Sequence, residues 1–184
     1  KVCSTCVCIV ANKKKEALIK LISTTFLPYI LGTTDSEIIF YIFLSELEKK
    51  ENLFSPNIKF KNIRASCERA IKNIINIIGE FANNDAPPDK SFLTFILTNG
   101  QNLIAFNGGK DLYYSTYKNK CPDRDTCSSF APFCEAPTRD GKVNHLLFSS
   151  EPLSGENIWI KMEKGDLVGS CDNMNLNISN VPAE

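Results

Sequence analysis

A chain of 184 residues with 43% hydrophobic side chains suits one domain with a real core and is too apolar for disorder. Lysine plus arginine and aspartate plus glutamate each number 21, so the formal charge is zero, which argues against a nucleic-acid surface. The longest apolar run, Ile38 to Leu44, falls far short of the roughly 18 residues of a membrane-spanning helix. The chain begins with Lys1 rather than Met and shows no secretory leader, so a processed product or a fragment is expected.

Residues 1–12 form a Cys-rich segment with Cys3, Cys6 and Cys8 and an apolar strand from Cys6 to Ala11. Lys13-Lys14-Lys15 then reads as a solvated helix start, and Ala17, Leu18, Leu21, Ile22 and Phe26 carry helical spacing as far as Pro28. Thr34-Asp35-Ser36-Glu37 opens a second helix as a capping box: the Thr34 hydroxyl takes the Glu37 amide and the Glu37 carboxylate reaches back. Ile38 to Leu44 is apolar on all sides, which places this helix between layers. A third helix is predicted from about Lys61 to Ala82, with an apolar stripe that includes Ile63, Cys67, Ala70, Ile71, Ile74, Ile78 and Phe81. The linker Asn83 to Asp89, with Pro87-Pro88, ends the helical half.

From Ser91 the pattern becomes that of strands. Phe92 to Leu97 and Leu103 to Phe106 flank Asn99-Gly100, a strong hairpin signal because both residues tolerate positive φ. Asn107-Gly108-Gly109 makes a second turn into Leu112 to Tyr117, and with Lys110 it lacks the pattern of a phosphate-binding loop. A loop from Lys118 to Val143 holds Cys121, Cys127 and Cys134, after which Leu146 to Ser149, Asn157 to Met162 and Leu167 to Ser170 complete an antiparallel meander. Helices over 14–82 followed by a meander over 91–170 give an α+β protein with sheet packed on helices.

Eight cysteines, three of them in one Pro-rich loop, point to an oxidising compartment, secreted or lumenal, with reduced cytoplasmic thiols as the alternative. The sequon Asn177-Ile178-Ser179 leans the same way and marks Asn177 for glycosylation. Cys3, Cys6, Cys8, Cys67, Cys121, Cys127, Cys134 and Cys171 are all disulfide candidates. At least one bridge is expected inside the 118–143 loop, and another tying Cys171 or an N-terminal cysteine to a distant segment. Cys3-x2-Cys6-x-Cys8 lacks a second ligand pair, so no metal and no cofactor is expected. His145, the only histidine, sits at the head of a strand as a structural residue, and Tyr113, Tyr114 and Tyr117 alternate between strand faces.

In order, the phrases Thr34–Glu37, Leu97-Thr98-Asn99-Gly100 and Ser149-Ser150-Glu151-Pro152-Leu153, followed by Trp159 and Lys164-Gly165-Asp166-Leu167-Val168, resemble a class II glutamine amidotransferase domain. The match, over roughly residues 14–170, is to the C-terminal part of this N-terminal nucleophile hydrolase domain. It is nearest to the stand-alone glutathione-degradation and ergothioneine-pathway amidohydrolases. The resemblance implies part of a four-layer αββα sandwich, with two sheets face to face. It spans 13–178, with a Cys-rich insertion at 118–143 and a tail at 179–184.

The resemblance also implies that Asp35 binds the α-amino group of a γ-glutamyl substrate, with Thr34 and Glu37 as cap. The local chemistry agrees: a carboxylate in a first helical turn is stabilised by the dipole and can hold an ammonium by a charge-assisted hydrogen bond. The family attacks the amide with an N-terminal Cys whose own amine is the base, clamps the substrate with an Arg and holds the oxyanion with an Asn-Gly pair. These parts are not matched: residue 1 is Lys, the only Asn before Asp35 is Asn12, followed by Lys13, and the first Arg is Arg64. Trimming to Cys3 or Cys6 would expose a terminal thiol, although a disulfide or a buried thiol is the simpler role for both.

The expected protein is therefore a non-catalytic, secreted chain with a binding or structural role, inactive as a glutaminase by itself. It is completed by a second chain carrying the N-terminal half of the domain, or by self-association, with no nucleic acid and no membrane insertion. The alternative is one subunit of a processed two-chain enzyme that hydrolyses glutamine or γ-glutamyl amides with an N-terminal Cys on the other chain.

Overall fold

The computed structural model describes residues 3–9, 14–55, 57–87, 90–138 and 141–181, the first of these segments by its backbone. The helices come first: α1 (Lys15–Ile19), α2 (Asp35–Glu48) and α3 (Phe60–Ile78). α1 is much shorter than its apolar spacing predicts, because the chain breaks into turns at Lys20 and then into a short 3-10 turn at Leu27–Tyr29 around Pro28. α2 begins where the capping box places it, with Thr34 in extended backbone accepting from the Glu37 amide. α3 stops at Ile78, short of the predicted Ala82, because Gly79 takes φ +85° while its N–H still bonds Ile75 O.

The strands are β1 (Cys3–Ile9), β2 (Phe92–Thr98), β3 (Leu103–Phe106), β4 (Tyr113–Ser115), β5 (Gly141–Lys142), β6 (Leu147–Ser149), β7 (Ile160–Lys161), β8 (Asp166–Ser170) and β9 (Asn175–Asn180). Among the described residues they form a six-stranded sheet, in the order β1-β2-β3-β8-β9-β5, and a three-stranded sheet, in the order β6-β4-β7. The antiparallel meander expected over 91–170 is divided between these two sheets. β3 pairs with β8 rather than with β4, in the register Ile104↔Gly169 and Phe106↔Leu167, so the segment between them is diverted into the second sheet. β9 escaped the sequence reading because its alternation, Leu176 and Ile178 between asparagines, is short and polar; it runs through Ser179 and Asn180, which the sequence places in a tail.

Alternation on the large sheet feeds two cores. Leu93, Phe95, Leu97, Ile104, Phe106 and Leu167 face α2 and α3, joining Ile38, Ile42, Ile71 and Ile74 in the larger cluster. Ala105, Val168 and Leu176 point the other way and meet Tyr114, Val143 and Met162 beneath the small sheet. The result is an α+β fold of helices, large sheet and small sheet in that order. The small sheet does not cover the large one completely: Ile178, directly opposite Val168 and on the same face, is 38% exposed.

The two helices are clamped by a buried carboxylate. Glu46 of α2 is 4% exposed. Its Oε2 accepts from Arg69 Nε at 3.2 Å, and its Oε1 from Asn73 Nδ2 at 3.2 Å, both on α3, while Lys49 Nζ lies 2.6 Å from Oε1. Ser66 Oγ, also on α3, donates to the Glu46 carbonyl. The lysine run is not only solvated charge either. Lys14 Nζ donates to Ile78 O at the C-terminal end of α3, and Lys15 Nζ to Thr33 O just before α2.

Candidate functional site

Asp35 is half-buried in the first turn of α2, where the aligned peptide dipoles stabilise a carboxylate. Its near neighbour Glu37 departs from the expected capping box, of which only the Thr34 half is formed. The Glu37 carboxylate passes back beyond Thr34 and accepts from Leu31 N at 3.0 Å and Gly32 N at 2.8 Å. Glu37 therefore holds the turn that leads into the helix, Thr34 caps the helix, and the two acidic residues of the phrase have separate roles. Just inside, Ser36 and Cys67 line a small apolar cavity with Ile39, Phe43 and Leu93.

The other two phrases do not converge on Asp35. Asn99-Gly100 turns the β2–β3 hairpin, Asn99 Oδ1 accepting from Gln101 N at 3.1 Å and Asn102 N at 2.8 Å. Asn99 lines a cleft with Leu47, twelve residues along α2 from Asp35, so about 18 Å of helix separates the turn from Asp35. This hairpin pair therefore does not share a site with Asp35. Ser149 to Leu153 leaves the small sheet as a loop pinned by Trp159, whose Nε1 donates to Leu153 O at 3.0 Å. These phrases specify turns of the fold, and only the first contributes a candidate ligand-binding side chain.

The side chains of Cys3, Cys6 and Cys8 lie outside the described residues. By backbone, Cys3 is opposite Thr98 and Cys6 is opposite Phe95. Cys67 is 1% exposed, and burial, with Glu68 second, pushes its thiol far above the usual range, so it is no nucleophile. Arg64 lies on α3 and pairs with Glu68 at 3.6 Å. Tyr113 and Tyr114 alternate faces as predicted: Tyr114 is buried with Phe148 and Ile160 beneath the small sheet, while Tyr113 is opposite Ser149 and Lys161.

The disulfide predicted inside the 118–143 loop is not formed; Cys67, Cys121, Cys127, Cys134 and Cys171 are all free. The loop is ordered by polar contacts instead. Glu135 accepts from Cys121 N at 2.7 Å and pairs with Arg124 at 2.8 Å, Lys118 N donates to Cys134 O at 2.8 Å, and Asn144 Nδ2 contacts Cys134 Sγ. Cys171 Sγ is bonded to Asn173 Oδ1 rather than to another cysteine. The sequon residue Asn177 sits within β9, its amide donating to Asn175 O.

His145 is half-buried near Lys118, and its Nε2 has no hydrogen-bond partner among the described residues. Burial first, then the Lys118 charge, lowers its pKa below the usual 6.5, and Lys118 is itself paired with Glu156 at 3.0 Å. The unfolded chain then takes up the proton before the folded one. Stability therefore rises with pH across the window just below 6.5 and is lost as pH falls through it. We expect unfolding free energy to drop as pH falls below about 6.5, and His145→Gln to flatten that part of the profile. An unchanged profile in denaturant titrations would show that other groups set it.

No family model matches the chain, and no curated protein matches it in sequence. Solved structures do match in fold. A glutamine aminotransferase class-II domain protein from Silicibacter pomeroyi superposes with a TM-score of 0.60 at 18% identity, over 100% of this chain and 68% of that one. The chain has the class II glutamine amidotransferase fold. A predicted glutamine amidotransferase from Pseudomonas aeruginosa PA01 matches with a TM-score of 0.50 at 15% identity, over 95% of this chain and 58% of that one. The 184 residues of this amidotransferase-like chain thus span between about three fifths and two thirds of the length of these two structures.

Proposed function

We propose that this chain is the ligand-recognising part of a class II glutamine amidotransferase-like protein, and that it binds a glutamine or γ-glutamyl group without hydrolysing it. Asp35 receives the α-ammonium group. The position of Asp35 carries this reading: it stands in the first turn of the helix that the matching phrase opens, with Thr34 capping that helix and Glu37 committed to the amides of Leu31 and Gly32. A partner chain completes the sandwich, in support of which Ile178, next to the buried Val168, is 38% exposed. The same exposure favours a second reading, a two-chain enzyme in which the partner brings the attacking thiolate.

Binding measured by NMR titration with glutamine and with its analogue lacking the α-amino group tests the assignment. Asp35→Asn is expected to weaken glutamine binding about 10- to 100-fold, the ~1.5–3 kcal/mol of a hydrogen bond to a charged group, and to leave the weak binding of the analogue unchanged. Equal affinity of the D35N variant and the parent chain for glutamine would remove Asp35 from the site.

A further inference from the structure

Two clefts flank the turn at residues 52–55 on the helical side of the molecule. The larger, about 770 Å³, is lined by Phe26, Tyr29, Tyr41 and Leu44, with Glu48 and Lys50 in its walls. The smaller, about 310 Å³, lies over Leu47, Leu53, Ile63 and Leu97. Phe54 borders both and is 97% exposed, an aromatic side chain with almost no contact to its own chain. Across the larger cleft, the 27–31 segment exposes Leu27, Tyr29 and, at 91%, Leu31. Apolar groups this bare and this close together mark a surface that is covered in use.

We propose that a second copy of this chain covers it, with Phe54 of each copy seated in the Phe26–Tyr29–Tyr41 cleft of the other about a two-fold axis. A ridge and a matching hollow lie side by side on one patch, which is what an isologous contact needs. The charges agree. Glu48 and Lys50 line the same cleft, are exposed, and pair with no other described residue. A two-fold axis brings Glu48 of one copy against Lys50 of the other and the reverse, whereas a partner of one dominant sign would meet repulsion from one of them. With 21 cations and 21 anions in the chain, two copies also meet without net repulsion. The inference is independent of what Asp35 binds.

Sedimentation equilibrium of the whole chain in the micromolar range tests it, and a dimer is the expected state. Phe54→Ser should weaken association at least about tenfold, as loss of a central aromatic anchor does, with far-UV circular dichroism unchanged because Phe54 is not part of the core, and with any loss of thermal stability confined to concentrations at which the parent chain is dimeric. Glu48→Lys should also weaken the dimer, and adding Lys50→Glu to it should restore affinity, because the reversed charges again meet their opposites across the contact. A chain that stays monomeric, a dimer indifferent to F54S, or a double charge reversal that fails to restore affinity would each overturn the proposal.

Discussion

Gly109→Ala is expected to destabilise the fold by about 3 kcal/mol or more. Asn107, Gly108 and Gly109, which the sequence reads as a turn, are all buried. Gly109 has φ +110°, and a Cβ there would lie 1.8 Å from Ala82 O. That oxygen belongs to backbone that cannot retreat freely, since Ala82 N is itself bonded to Ser91 O at 2.8 Å. The turn is fixed from its own side too: Gly109 N donates to Asn107 Oδ1 at 2.9 Å, and Asn107 Nδ2 donates to Met162 O at 2.8 Å.

Gly100 provides the control. It also has positive φ, at +91°, but nothing lies within 4 Å of its added Cβ, so Gly100→Ala should cost only about 1–2 kcal/mol of backbone strain. Urea unfolding of both variants separates strain from collision. Similar midpoints would mean that the 107–109 turn moves aside and that its close packing on Ala82 is unimportant.

Arg69→Met is expected to cost about 2–3 kcal/mol, because it strips a partner from a carboxylate that remains buried. Glu46 has a side chain only 6% exposed, and Arg69 bridges from α3 to both its Oε2 and its carbonyl. Arg69 also donates to Ser66 Oγ, which is fully buried. Lys49 meets the same carboxylate, but its side chain is 60% exposed and lies on the same helix, so Lys49→Met should cost less than about 1 kcal/mol. The difference between the two variants in denaturant titrations is the informative quantity. If Lys49→Met costs as much as Arg69→Met, the pair does not clamp α2 to α3, and the helices are held by their apolar stripe alone.

What was legible in the sequence was legible because its causes are local. Thr34 announces the start of α2, since a hydroxyl can reach the amide three residues on whatever the rest of the chain does. Asn99-Gly100 announces the β2–β3 hairpin for the same reason, and the order of the phrases was sufficient to point to the fold that the solved structures share. Asp35 was singled out because its phrase resembles one in the amidotransferase domains, and that phrase also carries a helix start. The separate task of Glu37, on Leu31 and Gly32, could not, because a carboxylate has several amides within reach and only the path of the preceding turn selects among them.

Cysteine spacing predicts bridges, yet the 118–143 loop is ordered through Glu135, a residue with no signature in the sequence. By itself, then, the sequence determined the α+β class, the start of α2 and the first hairpin. The tertiary structure alone decided that β3 would pair with β8, that β9 would join the large sheet and that Glu46 would lie buried between α2 and α3. Caps and tight turns are settled by groups a few residues apart, whereas strand partners and buried charges are settled by surfaces that meet only when distant segments pack.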